Sequence, residues 1–186
     1  MRILYIITTF LFFLSYSNDS YGQYEQDIQI IIKGHLKTIH SHFFNNSPEG
    51  IFPYTHPNLT AYYGGKEQMI AQIQERISNM KKAKLIVKNI EIVDPIKVVT
   101  YQDEFHCLVT EKTTISFLHR DFELTNHMLR ISKDGGRKWV FIEANLLRGE
   151  ERKKYFPNLK TSIEIPNSSY KQLFDPQVRK EPLLLE

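Results

Sequence analysis

Apolar residues recur every three or four positions from Tyr24 to about Phe44, and Ile28, Ile32, Leu36, Ile39 and Phe43 share one stripe. That spacing predicts an amphipathic helix. Asn45-Asn46-Ser47-Pro48 ends it, a short helical turn follows, and Pro57 starts a further helical piece running through Tyr63. Gly64-Gly65 breaks that piece, because glycine adopts the left-handed conformation that closes a helix. Lys66 to Lys82 carries a second clear stripe of Met69, Ile70, Ile73, Ile77 and Met80. Lys81, Lys82 and Lys84 crowd its end, where the helix dipole favours positive charge.

After Lys84 the period changes from helical to alternating. Leu85 to Val93, Ile96 to Tyr101, Glu104 to Phe117, Phe122 to Ser132 and Arg137 to Glu143 read as strands. Asp94-Pro95, Gln102-Asp103, His119-Arg120-Asp121 and Asp134-Gly135-Gly136 separate them. Strands joined by turns this short are antiparallel neighbours. Helices first and strands afterwards predict an α+β fold, with N-terminal helices packed on one face of a curved antiparallel β-meander. Arg148 to Lys154 adds a charged helical turn, and the polar stretch from Asn167 onward reads as an extended tail over the domain.

The last turn sits in Ser132-Lys133-Asp134-Gly135-Gly136-Arg137-Lys138-Trp139, which resembles the Asp box of sialidase-type propellers. A propeller repeats its blade, whereas this motif occurs once, after a helical first third. The motif's mechanics are those of a hairpin: Asp134 accepts hydrogen bonds from turn amides, the glycines take positive φ, and Trp139 packs on the sheet.

The address lies at the start of the chain. Arg2 precedes an almost wholly apolar run, Ile3 through Leu14, and Ser20-Tyr21-Gly22 offers small residues for a signal peptidase, so cleavage is expected before Gln23. The run is well short of the roughly 20 residues that span a bilayer. Its only cysteine is Cys107, so no lipid-anchoring cysteine follows the signal. The expected organisation is a cleaved signal peptide over 1–22, one domain over 23–165 and an extended tail over 166–186, in a periplasmic or secreted protein without a membrane anchor. A single cysteine forms no internal disulfide, and Cys107 in a strand between His106 and Leu108 reads as a buried structural thiol. Net charge is +3 with basic residues scattered, which argues against nucleic-acid binding.

Two early helices, a break and a long meander resemble the nuclear transport factor 2-like superfamily, a cone-shaped fold shared with ketosteroid isomerases and polyketide cyclases. The likeness to its small exported bacterial members rests on His56-Pro57-Asn58-Leu59 before Gly64-Gly65-Lys66-Glu67, and on the Ile131-to-Phe141 hairpin ending in Trp-x-Phe. Tyr155-Phe156-Pro157-Asn158-Leu159 and Ile163-Glu164-Ile165-Pro166 complete it. The resemblance implies a cone whose interior serves enzymes, ligand binders or assembly domains, so it names no function. Isomerase chemistry on this fold uses a carboxylate base and an oxyanion hole of tyrosine and protonated acid. Tyr62, Tyr63 and Tyr101 are available, but no acid partner fits the pattern and no catalytic residue is carried over.

One polar constellation follows from register. A three-residue Asp134-Gly135-Gly136 loop pairs Lys133 with Arg137 and sets His127 opposite Glu143, while pairing Phe117 with Phe122 sets Lys112 beside His127. The expected ligand-binding row is therefore Lys112, His127 and Glu143, next to an apolar patch of Leu108, Leu129, Ile131, Trp139 and Phe141. A cross-strand charge contact at the sheet's wet edge explains the same row without function. His35, His40 and His42 on the first helix lack the spacing of a metal site, and no cofactor motif is present. Cys107, Val109, Ile115, Phe117, Phe122, Leu124 and Met128 make the other sheet face apolar too, so the face without helices needs cover from a second copy or from the C-terminal tail. The expectation is a non-catalytic exported domain that binds a small apolar ligand or a protein partner and forms a homodimer. An isomerase or cyclase using the cone interior, and a dimerisation module, are the alternatives.

Overall fold

The computed structural model describes residues 24–94 and 96–173, which fold as the change of period predicts. Helix α1 covers residues 24–44. A 3-10 helix over Pro48–Tyr54, α2 over Pro57–Tyr62 and α3 over Lys66–Lys82 follow. Ile28, Ile32 and Leu36 of α1 are buried in one cluster with Cys107, Val109 and Trp139 of the sheet. Each such side chain contributes ~1.5–3 kcal/mol on burial. Gly64 and Gly65, with φ of 87° and 112°, turn the chain between α2 and α3.

Six strands form one antiparallel sheet: β1 (Ile86–Ile92), β2 (Val98–Tyr101), β3 (Glu104–Phe117), β4 (Arg120–Ser132), β5 (Val140–Glu143) and β6 (Ser169–Leu173). β3 and β4 are its long central hairpin. β1 and β2 lie end to end along β3, and β5 and β6 lie end to end along β4. The turns Gln102-Asp103 and Leu118-His119 hold two residues each, all with positive φ, between Tyr101↔Glu104 and Phe117↔Arg120. Turns of that hand match the twist of the flanking strands. They correct the expected pairing of Phe117 with Phe122 by two residues.

Two further expectations change. Residues after Asn167 are not only an extended tail, because Ser169–Leu173 pairs with Asp121–Thr125 as an edge strand. The signal segment 1–22 and the end of the tail, 174–186, lie outside the described residues.

The helix-facing side of the sheet carries Cys107, Val109, Ile115, Phe122, Leu124 and Met128, as the alternation predicts. Its other side holds Leu108, Leu129, Ile131, Val140 and Ile142 near β5. A 3-10 helix over Ala144–Leu147, α4 (Gly149–Tyr155) and the segment after it cover that patch with Leu146, Leu147 and Phe156, and with Leu159, Ile163 and Ile165 around them. The chain therefore covers its own second face with residues 144–165. Farther along β3 and β4 the same face turns to Lys112, Thr114, Glu123 and Thr125, side chains that need no cover.

Candidate functional site

The C-terminal half of α1, α3 from Ile73 on and the sheet enclose a cavity of about 560 Å³. Ligand pockets span ~300–1,000 Å³. Ile39 and Phe43 of α1, Ile73 and Met80 of α3, and Leu124 and Met128 of β4 form its apolar wall. The helical stripes and strand alternation aim these residues inward, so the cavity is lined by side chains that would otherwise be core.

Polar groups interrupt that wall, and two of them make close contacts. His40 follows Leu36 by one helical turn, and its Nε2 stands 2.9 Å from Glu111 Oε1 of β3. The approach has ion-pair distance without the alignment of a hydrogen bond, so Oε1 keeps an open acceptor position. In the second contact the Tyr63 hydroxyl donates to Glu143 Oε1 at 3.0 Å, and Arg76 of α3 borders the same space. Burial, then the Glu143 carboxylate, push the Tyr63 phenol up to about 12.

One same-face position along β4 from Met128 stands a buried guanidinium. Arg130 pairs with Phe141 and Cys107 in the sheet and is fully buried, and its Nε, Nη1 and Nη2 have no hydrogen-bond partner among the described residues. Its Cζ lies 5.9 Å from the centre of the Phe141 ring. Burial pushes the guanidinium down to about 10, partly offset by its neighbours Cys107, Glu111 and Tyr54. His35 packs its ring 5.0 Å from that of Tyr54, and its buried Nδ1 has no partner among the described residues. Burial first and the Arg130 charge second hold the His35 imidazole below its usual range.

The expected row of Lys112, His127 and Glu143 is not assembled. Met128, not His127, stands opposite Glu143, so Glu143 belongs to the helix-facing side and reaches the cavity. His127 touches the cavity wall, but its Nδ1 lies 2.9 Å from Thr110 Oγ1, its cross-strand neighbour on the opposite face. Lys112 pairs with Thr125, two residues from its expected place. The expected apolar patch divides likewise: Trp139 and Phe141 face the helices, while Leu108, Leu129 and Ile131 face away.

The cause is the Asp134 turn. Ser132 Oγ accepts from Gly136 N at 2.9 Å and donates to Asp134 Oδ1 at 3.0 Å, while Lys138 N donates to Asp134 Oδ1 at 2.9 Å. Those side chains take the amides that a tight loop would return to the ladder, so pairing resumes only at Val140↔Ile131. The Lys138 amide, followed by Ser132 and Arg137, holds the Asp134 carboxyl below its usual range. Trp139 Nε1 donates to Gly136 O at 2.8 Å and its ring is buried beneath α1.

Sequence reasoning weighed His40 only as a metal ligand and passed over Glu111 and Arg130. The available signal was phase: Glu111 and Arg130 alternate in step with Val109 and Met128, which places ionisable groups on an apolar face. The first-helix histidines have separate surroundings, since His35 meets Tyr54, His40 meets Glu111 and His42 lies 3.0 Å from Ser47 Oγ. No cluster of three or more His, Cys, Asp or Glu able to hold a metal ion occurs among the described residues. Nor is any described helix long and apolar enough to cross a membrane. Scans against protein-family models, curated proteins and solved structures returned no match to this chain.

Proposed function

We propose that this chain is an exported, non-catalytic domain of nuclear transport factor 2-like type that binds a small, largely apolar ligand between α1, α3 and the sheet. The observation that carries this reading is the cavity of about 560 Å³, whose wall is mainly aliphatic and aromatic with polar side chains such as His40, Arg76, Glu111, Asn126 and Glu143 set into it. A shape of that kind removes apolar ligand surface from water at roughly 25 cal/mol per Å². Export is supported by Arg2, the apolar run Ile3–Leu14 and the small residues before Gln23.

Titration with the neutral fluorophore N-phenyl-1-naphthylamine tests the reading. Saturable binding at one site per chain is expected, weakened in Leu124→Trp, which narrows the cavity from its sheet wall. Failure to bind, or binding unaffected by Leu124→Trp in a folded variant, would sink it.

An isomerase or cyclase using the cone interior is the second reading, favoured by the His40–Glu111 pair at 2.9 Å. A histidine backed by a carboxylate is equipped to move a proton. Deuterium exchange next to the carbonyl of small cyclic ketones, catalysed by the protein and abolished in His40→Gln, would establish that reading.

A further inference from the structure

We infer that the ligand of this cavity carries a neutral hydroxyl, and that Glu111 and Asn126 on the cavity floor receive it. The inference rests on the cavity being the binding site and names the head group of its occupant. Glu111 of β3 and Asn126 of β4 stand directly opposite each other in the central hairpin, and both line the cavity. Glu111 is 9% exposed, and its Oε1 accepts no hydrogen bond from the described residues. His40 Nε2 lies 2.9 Å from that oxygen but off the line of a hydrogen bond, and what stays accessible of the Glu111 side chain borders the cavity. A carboxylate set into an apolar wall without a donor is unfavourable, and a bound donor offsets that cost.

The chemistry of the floor selects among head groups. A carboxylate only accepts, whereas the Asn126 amide both donates and accepts. Directly opposed residues of antiparallel strands hold their Cβ atoms about 4.5–5.5 Å apart, so one small group can meet both. A hydroxyl donates to Glu111 and accepts from the Asn126 amide. An ammonium offers that amide no acceptor, and it adds a positive charge where Glu111 is already coupled to the charge of Arg130. An acid head brings Glu111 no proton and meets repulsion from Glu111 and Glu143, both on the wall. An ether accepts from Asn126 and leaves Glu111 without a donor. The ligand class is therefore a neutral amphipathic alcohol, its hydrocarbon body among Ile39, Phe43, Ile73 and Met80 and its hydroxyl between Glu111 and Asn126.

The test titrates the whole folded protein calorimetrically, at neutral pH, with 1-decanol and with its isomer 1-methoxynonane, which keeps the acceptor oxygen and lacks the donor. Decanoic acid and decylamine complete the set. A hydrogen bond to a charged acceptor predicts about 10- to 100-fold tighter binding of the alcohol than of the ether. Acid and amine both bind more weakly than the alcohol. In Glu111→Leu the alcohol and ether affinities converge, chiefly through loss of alcohol binding. Glu111→Gln keeps the shape and an acceptor but removes the charge, so the acid gains on the alcohol. Asn126→Val weakens the alcohol by up to about tenfold. Equal binding of alcohol and ether by the wild type overturns the inference while leaving the cavity reading intact. Binding of none of the four overturns both. An acid or amine that outbinds the alcohol overturns the neutral head group. An alcohol preference that survives Glu111→Leu, or an acid-to-alcohol ratio unchanged in Glu111→Gln, overturns the role of Glu111, and alcohol affinity unchanged in Asn126→Val overturns that of Asn126.

Discussion

Replacing Arg130 with methionine is expected to make the ligand-free protein more stable. Burial lowers the guanidinium pKa from its ordinary 12.5 to about 10. Each tenfold change in proton affinity corresponds to about 1.36 kcal/mol, so the charge is disfavoured by about 3 kcal/mol in the fold. Methionine keeps the aliphatic stem and removes that charge. Against this stand the shorter side chain, whose small void costs about 1 kcal/mol, and the lost contact with the Phe141 face, worth ~0.5–1 kcal/mol. The net gain is about 1–2 kcal/mol. Urea unfolding followed by the fluorescence of Trp139, the chain's only tryptophan, reads it as a midpoint raised by roughly 0.5–1 M at unchanged slope. A midpoint lowered by the same amount would refute the reasoning, because it would mean the guanidinium is well satisfied in solution without ligand.

Three other outcomes follow from single features. A Cβ at Gly50 would overlap the His42 ring, so Gly50→Ala displaces that ring from Ser47 and is expected to cost ~1–3 kcal/mol by thermal unfolding. Leu118 and His119 occupy positive φ in a two-residue turn, at 49° and 61°, so Leu118→Asn with His119→Gly is expected to stabilise the hairpin by about 1 kcal/mol, measured as the urea midpoint. Tyr63 ionises at about 12, above the ordinary phenol, so alkaline difference spectra of wild type against Tyr63→Phe should show one phenolate appearing last. The folded chain holds that proton where the unfolded chain releases it near 10. The corresponding stability is complete below about 10 and is lost as pH rises through about 12, and Glu143→Gln narrows that window.

Most of the architecture was legible because period is a local property. Lys66–Lys82 and Glu104–Phe117 have the bounds their apolar spacing predicts. Register was not legible, because it is set by which amides a turn consumes. Side-chain oxygens of Ser132 and Asp134 capture Gly136 N and Lys138 N, and the resulting one-residue slip moves Glu143 to the opposite face from His127. β6 escaped notice for a different reason: Ser169-Tyr170-Lys171-Gln172 are exposed on an edge and bury nothing, so no alternation marks them. The candidate site was visible only as a phase, with Glu111 and Arg130 standing where the strand pattern calls for apolar side chains.

That phase also explains why a cavity exists where a helix would otherwise close on the sheet. Near the hairpin end, Cys107, Val109 and Trp139 present apolar surface beside the single buried Arg130, and α1 packs down on it through Ile28, Ile32 and Leu36. One step along the same face the inward positions become Glu111, Thr113 and Asn126, before apolar character returns at Ile115 and Leu124. Pressing a helix onto that middle band would bury a carboxylate and an amide without enough partners, at ~1–3 kcal/mol for each orphaned group. Standing off is therefore the lower-energy arrangement for α1 beyond Leu36. α3, delivered to the far side of the gap by the Gly64-Gly65 turn, closes it with Ile73 and Met80 rather than filling it. An apolar rim around a polar floor suits the ligand proposed above: a molecule whose body matches the rim and whose polar end reaches the polar side chains of the floor.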